Sequence, residues 1–226
     1  MLGLGVVLIA VATLAGWALA DRHSDRRELV LGAAAGVLLV IAGLHLLPDA
    51  WSDAGESGLP VSVVPLTAAA GFALAGWLTR RGCACARDSE PANGAAVTVA
   101  LAAHRVLEGA ALALIGSATV VVALATHAFA EGLAAGSLLA SASRRRTRWG
   151  LAALCLGPVA GVGVAQIAVP EQLEPLLVAA AAGVLLQAAR IGLAAAFSSR
   201  PASVVGPAAA LVGAGLVTAL AVYGVG

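Results

Sequence analysis

The chain is divided almost from end to end into apolar runs about 20 residues long, separated by short polar breaks. A run of that length and polarity is what an α-helix needs to cross the hydrocarbon core of a bilayer. Because 61% of the residues are hydrophobic and only 11% are charged, the composition excludes an ordinary soluble domain. The sequence therefore predicts an all-α, polytopic membrane protein that forms a single integral membrane domain over residues 1–226.

Eight such runs follow one another along the chain. The polar breaks place the predicted spans at about residues 2–20, 29–48, 60–79, 96–116, 119–141, 149–169, 174–196 and 204–224. The weakest break, "IGSAT" at 115–119, predicts a tight turn that makes spans 4 and 5 an antiparallel hairpin. No basic region precedes the first run, so we interpret it as a span and not as a cleaved signal peptide.

The positions of the arginines predict the orientation in the membrane. The sequence has no lysine, and eleven of its thirteen arginines lie in alternate loops, at positions 22, 26, 27, 80, 81, 87, 144, 145, 146, 148 and 200. The intervening loops carry acidic residues instead. By the positive-inside rule the arginine loops are cytoplasmic, which places both termini outside the cell in a multi-pass plasma-membrane protein. The other two arginines, Arg105 and Arg190, fall within spans, and Arg190 is near enough to the cytoplasmic end to snorkel.

Two histidine–glutamate pairs interrupt otherwise apolar spans. His104 and Glu108 lie in "AHRVLEGAALAL", and His127 and Glu131 lie in "THAFAEGLAAG"; a spacing of four puts each pair on one helix face. Counted from a turn centre at about position 117.5, His104 is as deep as Glu131, roughly 20 Å, and Glu108 as deep as His127, roughly 14 Å. In an antiparallel hairpin each histidine therefore meets a glutamate of the other span.

The chemistry of this set predicts a metal site. A carboxylate or guanidinium in mid-membrane costs about 2.5–3.5 kcal/mol, so a purely structural role for Glu108, Glu131 and Arg105 is an expensive arrangement. Two imidazoles and two carboxylates are the N and O ligands that suit a borderline divalent ion such as Zn²⁺. Fe²⁺, Mn²⁺ and Cd²⁺ accept the same ligands, so the choice among these metals stays open.

Two smaller features lie outside the hairpin. His45 and Asp49 repeat the same spacing at the end of span 2, and Asp53 follows in an acidic loop. We interpret these residues as an entrance that concentrates cations, with a solvated helix end as the alternative. Cys83 and Cys85 form a cytoplasmic C-x-C that a soft metal can contact during release, but two ligands are too few for a stable site.

These motifs resemble those of the ZIP family of divalent-metal transporters, over essentially the whole chain. The resemblance is carried by the eight-span layout, by "HLLPDA" closing span 2, by "HRVLEG" in span 4 and by "HAFAEG" in span 5. It implies that zinc or another divalent metal enters the cytoplasm through the four ligands on spans 4 and 5. It also implies a 3+2+3 arrangement of spans, with the outer triplets related by an inverted repeat, and a homodimer.

The chain departs from the family pattern where the family has a second, bridged metal site. Arg105 and Leu107 replace the usual Asn and Pro, Ala128 replaces a polar or acidic residue, and span 6 contains no acid. The resemblance therefore implies one intact site, with Arg105 as a fixed positive charge in place of the second metal. We expect one metal per protomer at moderate affinity, and tighter binding in an Arg105→Asn variant.

Two other functions would use the same residues. A proton-coupled carrier of another solute would use the His/Glu set as a proton relay, and a haem-binding redox protein would use His104 and His127 as axial ligands. Enzymatic chemistry is not predicted, since the chain has no H-E-x-x-H motif, no Ser/His pairing and no Walker-type loop. Neither an organic cofactor nor a nucleic-acid partner is predicted.

Overall fold

The computed structural model describes most of the apolar runs. It covers residues 2–23, 26–60, 62–81, 98, 101–106, 108–110, 112–113, 118–139, 143–165, 173–198 and 205–223. Within these residues the backbone is helical apart from short turns and connections, and it contains no β-strand. The predicted all-α class is confirmed for this part of the chain.

The helices follow the apolar runs. In chain order they are α1 (Leu2–Arg22), α2 (Arg27–Val40), α3 (Leu47–Glu56), α4 (Val63–Arg81), α5 (Ala118–Leu139), α6 (Arg144–Val164), α7 (Glu174–Ser198) and α8 (Val205–Tyr223). The described residues of predicted span 4, between 98 and 113, are also helical and keep the name span 4 below. Among the described helices, α1, the continuous helix Glu28–Glu56, α6 and most of α7 are long and apolar enough to cross a membrane.

The second span is longer than the sequence predicts. We expected it to end at about residue 48, with an acidic loop after it, but the chain stays helical through a π-helix at Ile41–Leu46 and then α3 to Glu56. Pro48, which has no backbone N–H to donate, is the second residue after the π-helix. The acidic residues Asp53 and Glu56 therefore lie on a helix and not in a loop.

The arginine-rich break before span 6 is helical as well. Ser143 caps α6, because its Oγ accepts a hydrogen bond from the backbone N–H of Arg146 at 3.4 Å. Serine is a preferred N-cap residue, and it starts the helix at Arg144 instead of near residue 149. The arginines predicted to lie in a loop form the exposed first turns of this helix.

Glycines allow neighbouring helices to approach each other closely. Helices α1 and α5 do so reciprocally, since Gly16 lies against the carbonyl of Phe129 and Gly132 lies against the carbonyl of Thr13. Neither position has space for a Cβ atom. Contact through small residues is the usual means of holding helices together in lipid, where no hydrophobic effect drives them together.

Candidate metal centre

Span 4 and α5 each contribute one histidine and one glutamate to a buried cluster. His104 and Glu108 lie one turn apart on span 4, and His127 and Glu131 lie one turn apart on α5. Their exposed fractions are only 3%, 5%, 3% and 0%, respectively. Each residue offers one ligand atom within 4.8 Å of the other three, so the group can hold a metal ion.

Each histidine lies close to the glutamate of the other helix. His127 Nε2 lies 3.0 Å from Glu108 Oε1, and His104 Nε2 lies 3.8 Å from Glu131 Oε1. Within each helix the separation of Nε2 from Oε1 is 3.3 Å, and the two Nε2 atoms are also 3.3 Å apart. The structure thus brings together all four residues that were predicted from the sequence spacing, with each histidine beside a glutamate of the other helix.

These separations are close to those around a small tetrahedral ion. Zn²⁺ holds histidine nitrogen and carboxylate oxygen at about 2.0–2.2 Å, which separates neighbouring ligand atoms by roughly 3.3–3.6 Å in a tetrahedron. The five distances given above, between 3.0 and 3.8 Å, bracket that range. Five of the six separations among the four ligand atoms therefore match a tetrahedral Zn²⁺ site, and all four atoms lie within 4.8 Å of one another.

Arg105 binds the other oxygen of each glutamate. The arginine is fully buried, its Nη1 donates a hydrogen bond to Glu108 Oε2 at 2.7 Å, and its Nε lies 2.6 Å from Glu131 Oε2 in an ion pair. Each carboxylate therefore faces the histidines through Oε1 and the guanidinium through Oε2. With neutral imidazoles, two carboxylates and one guanidinium give the group a net charge of −1.

Helix α1 fixes the guanidinium from a third side. Nη2 of Arg105 donates to Thr13 Oγ1 at 3.1 Å, and the Thr13 hydroxyl donates to the carbonyl of Ile9 at 2.9 Å. Thr13 was missed by the sequence analysis, because a threonine within an apolar helix commonly bonds only to its own backbone. Its second contact depends on the packing of α1 beside the hairpin, for which the local sequence carries no signal.

Close backbone contacts lie next to both glutamates. Gly109 follows Glu108 and lies against the carbonyl of Pro158 on α6, while Gly132 follows Glu131 and lies against α1. Neither glycine has space for a Cβ atom. These contacts hold in place the two backbone segments that carry the carboxylates.

The predicted entrance residues form an exposed pair. His45 lies on the π-helix and Asp49 on α3, with Nδ1 and Oδ2 3.0 Å apart and with 37% and 52% of the side chains exposed. Asp53 is one turn further along α3 and is partly exposed. In the part of the chain that the structure describes, no further His, Cys or carboxylate completes a ligand group here.

The remaining candidates lie away from the cluster or outside the described residues. Arg190 is exposed on α7, where its Nε donates to Gln187 Oε1 at 2.9 Å. Ala128 packs into an apolar group with Ile9 and Leu112, so its position offers no polar ligand. Cys83 and Cys85, the predicted cytoplasmic contacts for a released metal, lie outside the described residues.

Comparisons with known proteins do not assign this chain to a family, so the class of the site is argued from its geometry. No protein-family model matches the chain, and a search of curated proteins finds no match. The class of site is therefore defined by the residues themselves. They form a buried His₂Glu₂ cluster, shared by two helices of an apolar chain, with one arginine bound to both carboxylates.

Proposed function

We propose that the protein is a secondary transporter that moves a divalent metal cation into the cytoplasm. Zn²⁺ is the preferred candidate for this cation, with Fe²⁺, Mn²⁺ and Cd²⁺ as alternatives. The substrate would bind at His104, Glu108, His127 and Glu131. The observation that carries the proposal is the convergence of four N and O ligand atoms, all within 4.8 Å of one another, in a buried position. The ZIP-like motifs that contain these four residues support the same function.

The charge of the cluster favours passage of the ion over permanent retention. Without metal the two carboxylates outweigh Arg105 and attract a cation. Once a divalent ion is bound, the net charge becomes +1, and the fixed guanidinium opposes the ion at short range. Because charges in a poorly hydrated site are weakly screened, this repulsion favours release.

We further propose the membrane arrangement that the resemblance implies. It consists of eight spans in a 3+2+3 order, with both termini outside the plasma membrane, in a homodimer. Helical residues in each of the eight apolar runs support the number of spans, and the arginines of alternate breaks support the orientation. His45, Asp49 and Asp53 would form the outer entrance, which fits their exposure and negative charge.

A cysteine introduced at position 146 is expected to react only with reagents that enter the cytoplasm. Arg146 is exposed at the start of α6 and belongs to the arginine-rich side of the chain. The measurement is labelling of intact cells with a membrane-impermeant maleimide, in a protein whose three native cysteines are replaced by alanine. Glu56→Cys is the matched control and should react from outside. Labelling of position 146 from outside would show that the proposed topology is wrong.

Zinc bound to the purified protein tests the metal site directly. We expect one Zn²⁺ per chain by elemental analysis, and at least about a tenfold lower retention in His127→Ala, since even outer-shell partners of metal ligands contribute about 10–100-fold. His23→Ala is the control, because His23 is exposed at the end of α1 and its Nδ1 lies 3.1 Å from the carbonyl oxygen of Leu19. If His127→Ala and His23→Ala retain equal amounts of zinc, the proposed site is wrong. If the wild type binds two ions per chain, the inference that the second metal site is lost is wrong.

The same measurement separates the alternatives. A wild-type protein that binds no divalent metal would favour the proton relay. The haem alternative is not favoured by the geometry, because Glu108 and Glu131 lie within 3.8 Å of the histidine Nε2 atoms, where a porphyrin ring would have to fit.

A further inference from the structure

We propose that Arg105 determines which divalent cations the cluster accepts, by restricting each glutamate to a single metal-binding oxygen. The inference rests on the proposed metal-binding function of the cluster. It concerns the selectivity of the site and not its existence.

The contacts of the guanidinium carry the inference. Oε2 of Glu108 lies 2.7 Å from Nη1, and Oε2 of Glu131 lies 2.6 Å from Nε. A planar guanidinium offers its donors in a fixed fork, so it can hold two carboxylates in defined orientations at the same time. The third contact, to Thr13, prevents the fork from turning away. Both Oε2 atoms are thus engaged, and only the Oε1 atoms face the histidines.

The coordination number follows from this arrangement. Two Nε2 and two Oε1 atoms supply four donors, which is the number that tetrahedral Zn²⁺ requires. Mn²⁺ prefers an octahedral set of oxygen ligands, and Ca²⁺ takes about six to eight oxygens. Bidentate carboxylates are the usual way to provide the additional oxygens, and Arg105 blocks that mode at both glutamates. Because the cluster is almost fully buried, water has little access to complete the coordination of the larger ions.

Arg105 acts on the site through its charge and through the number of oxygens that each glutamate can offer. Comparing two metals separates these two effects. The positive charge of Arg105 repels every divalent ion by a similar amount, so it changes the affinities for Zn²⁺ and Mn²⁺ together. The ratio of the two affinities reports instead on the number of oxygens that each glutamate can offer. Arg105→Lys keeps the charge but has a single nitrogen, which cannot reproduce three contacts made by three different nitrogens.

The experiment is calorimetric titration of the purified full-length protein with Zn²⁺ and with Mn²⁺. We expect the Zn²⁺/Mn²⁺ affinity ratio to fall by about tenfold or more in Arg105→Lys and Arg105→Asn, the size of effect typical of residues that orient metal ligands. The absolute Zn²⁺ affinity should rise in Arg105→Asn, where the charge is lost. Arg190→Asn is the control and should leave the ratio unchanged, since Arg190 and its partner Gln187 both lie on α7, which contributes no ligand to the cluster.

Thr13→Val keeps the test decisive if the arginine variants do not fold. The valine retains the volume of the side chain and leaves both ion pairs and the charge of Arg105 in place. It removes the hydrogen bond that Thr13 accepts from the guanidinium. We expect a smaller fall of the ratio in the same direction. An unchanged ratio in the folded variants, with zinc bound by the wild type, overturns the inference and leaves the proposed function intact. A wild type that binds neither metal overturns both.

Discussion

Replacing Glu131 with glutamine is expected to reduce zinc uptake by at least about tenfold, because even the residues that orient metal ligands typically contribute about 10–100-fold. Glu131 is fully buried, and its Oε1 lies 3.3 Å from His127 Nε2 and 3.8 Å from His104 Nε2. Glutamine has the same shape but no negative charge, so its oxygen binds a cation more weakly. The measurement is uptake of radioactive zinc by cells that carry equal amounts of each variant in the membrane.

The variant is expected to fold, which makes the uptake result interpretable. Arg105 keeps its ion pair with Glu108 and its hydrogen bond to Thr13, so the guanidinium stays in place. Ser137→Ala is the matched control, since Ser137 is buried on the same helix and its Oγ has no hydrogen-bond partner among the described residues. If Glu131→Gln and Ser137→Ala take up zinc equally, Glu131 does not belong to the transport site.

Adding one methyl group at Gly161 is expected to lower the melting temperature of the purified protein by several degrees. A Cβ atom there would overlap the carbonyl oxygen of Val106 and would lie 2.8 Å from the backbone nitrogen of Ala110. Because both are backbone atoms of span 4, they cannot rotate aside as a flexible side chain can. Overpacking typically costs about 1–3 kcal/mol, and the cost here falls on the contact that holds span 4 beside α6.

Gly163→Ala provides the control on the same helix. The space around Gly163 is open, with no atom within 4 Å of an added Cβ, and alanine has a higher helix propensity than glycine. Its melting temperature should equal or slightly exceed that of the wild type. Equal stability of Gly161→Ala and Gly163→Ala would show that span 4 and α6 are not held together by this close approach.

Some helix boundaries could not be predicted, because polar helix ends and polar loops have the same composition. Continuation of the second span to Glu56 depends on a π-helix just before Pro48, and the pattern of apolar residues does not reveal that. The start of α6 at Arg144 depends on the cap supplied by Ser143. In both cases a local hydrogen-bonding detail extended a helix into a segment that we had interpreted as a loop.

The sequence alone is sufficient for the helical class and for the four candidate ligands. Apolar runs of about 20 residues require helices in a membrane, because only helices or closed barrels satisfy all backbone groups in lipid. The helix repeat places His104 and Glu108 on one face of span 4, and His127 and Glu131 on one face of α5. Matching the two pairs by depth needs only a tight turn between the helices. All of these properties are local, so spacing along the chain specifies them.

The surroundings of the cluster depend instead on which helices pack together. Spacing along span 4 puts Arg105 within reach of Glu108, but it does not reveal that the guanidinium also binds Glu131 and Thr13. Those partners lie on α5 and α1, and α1 is separated from span 4 by about 90 residues. Their approach depends on glycines that bring helix backbones into contact, such as Gly132 against the carbonyl of Thr13. A buried side chain takes its partners from whichever backbones lie nearby, and that is a property of packing and not of spacing.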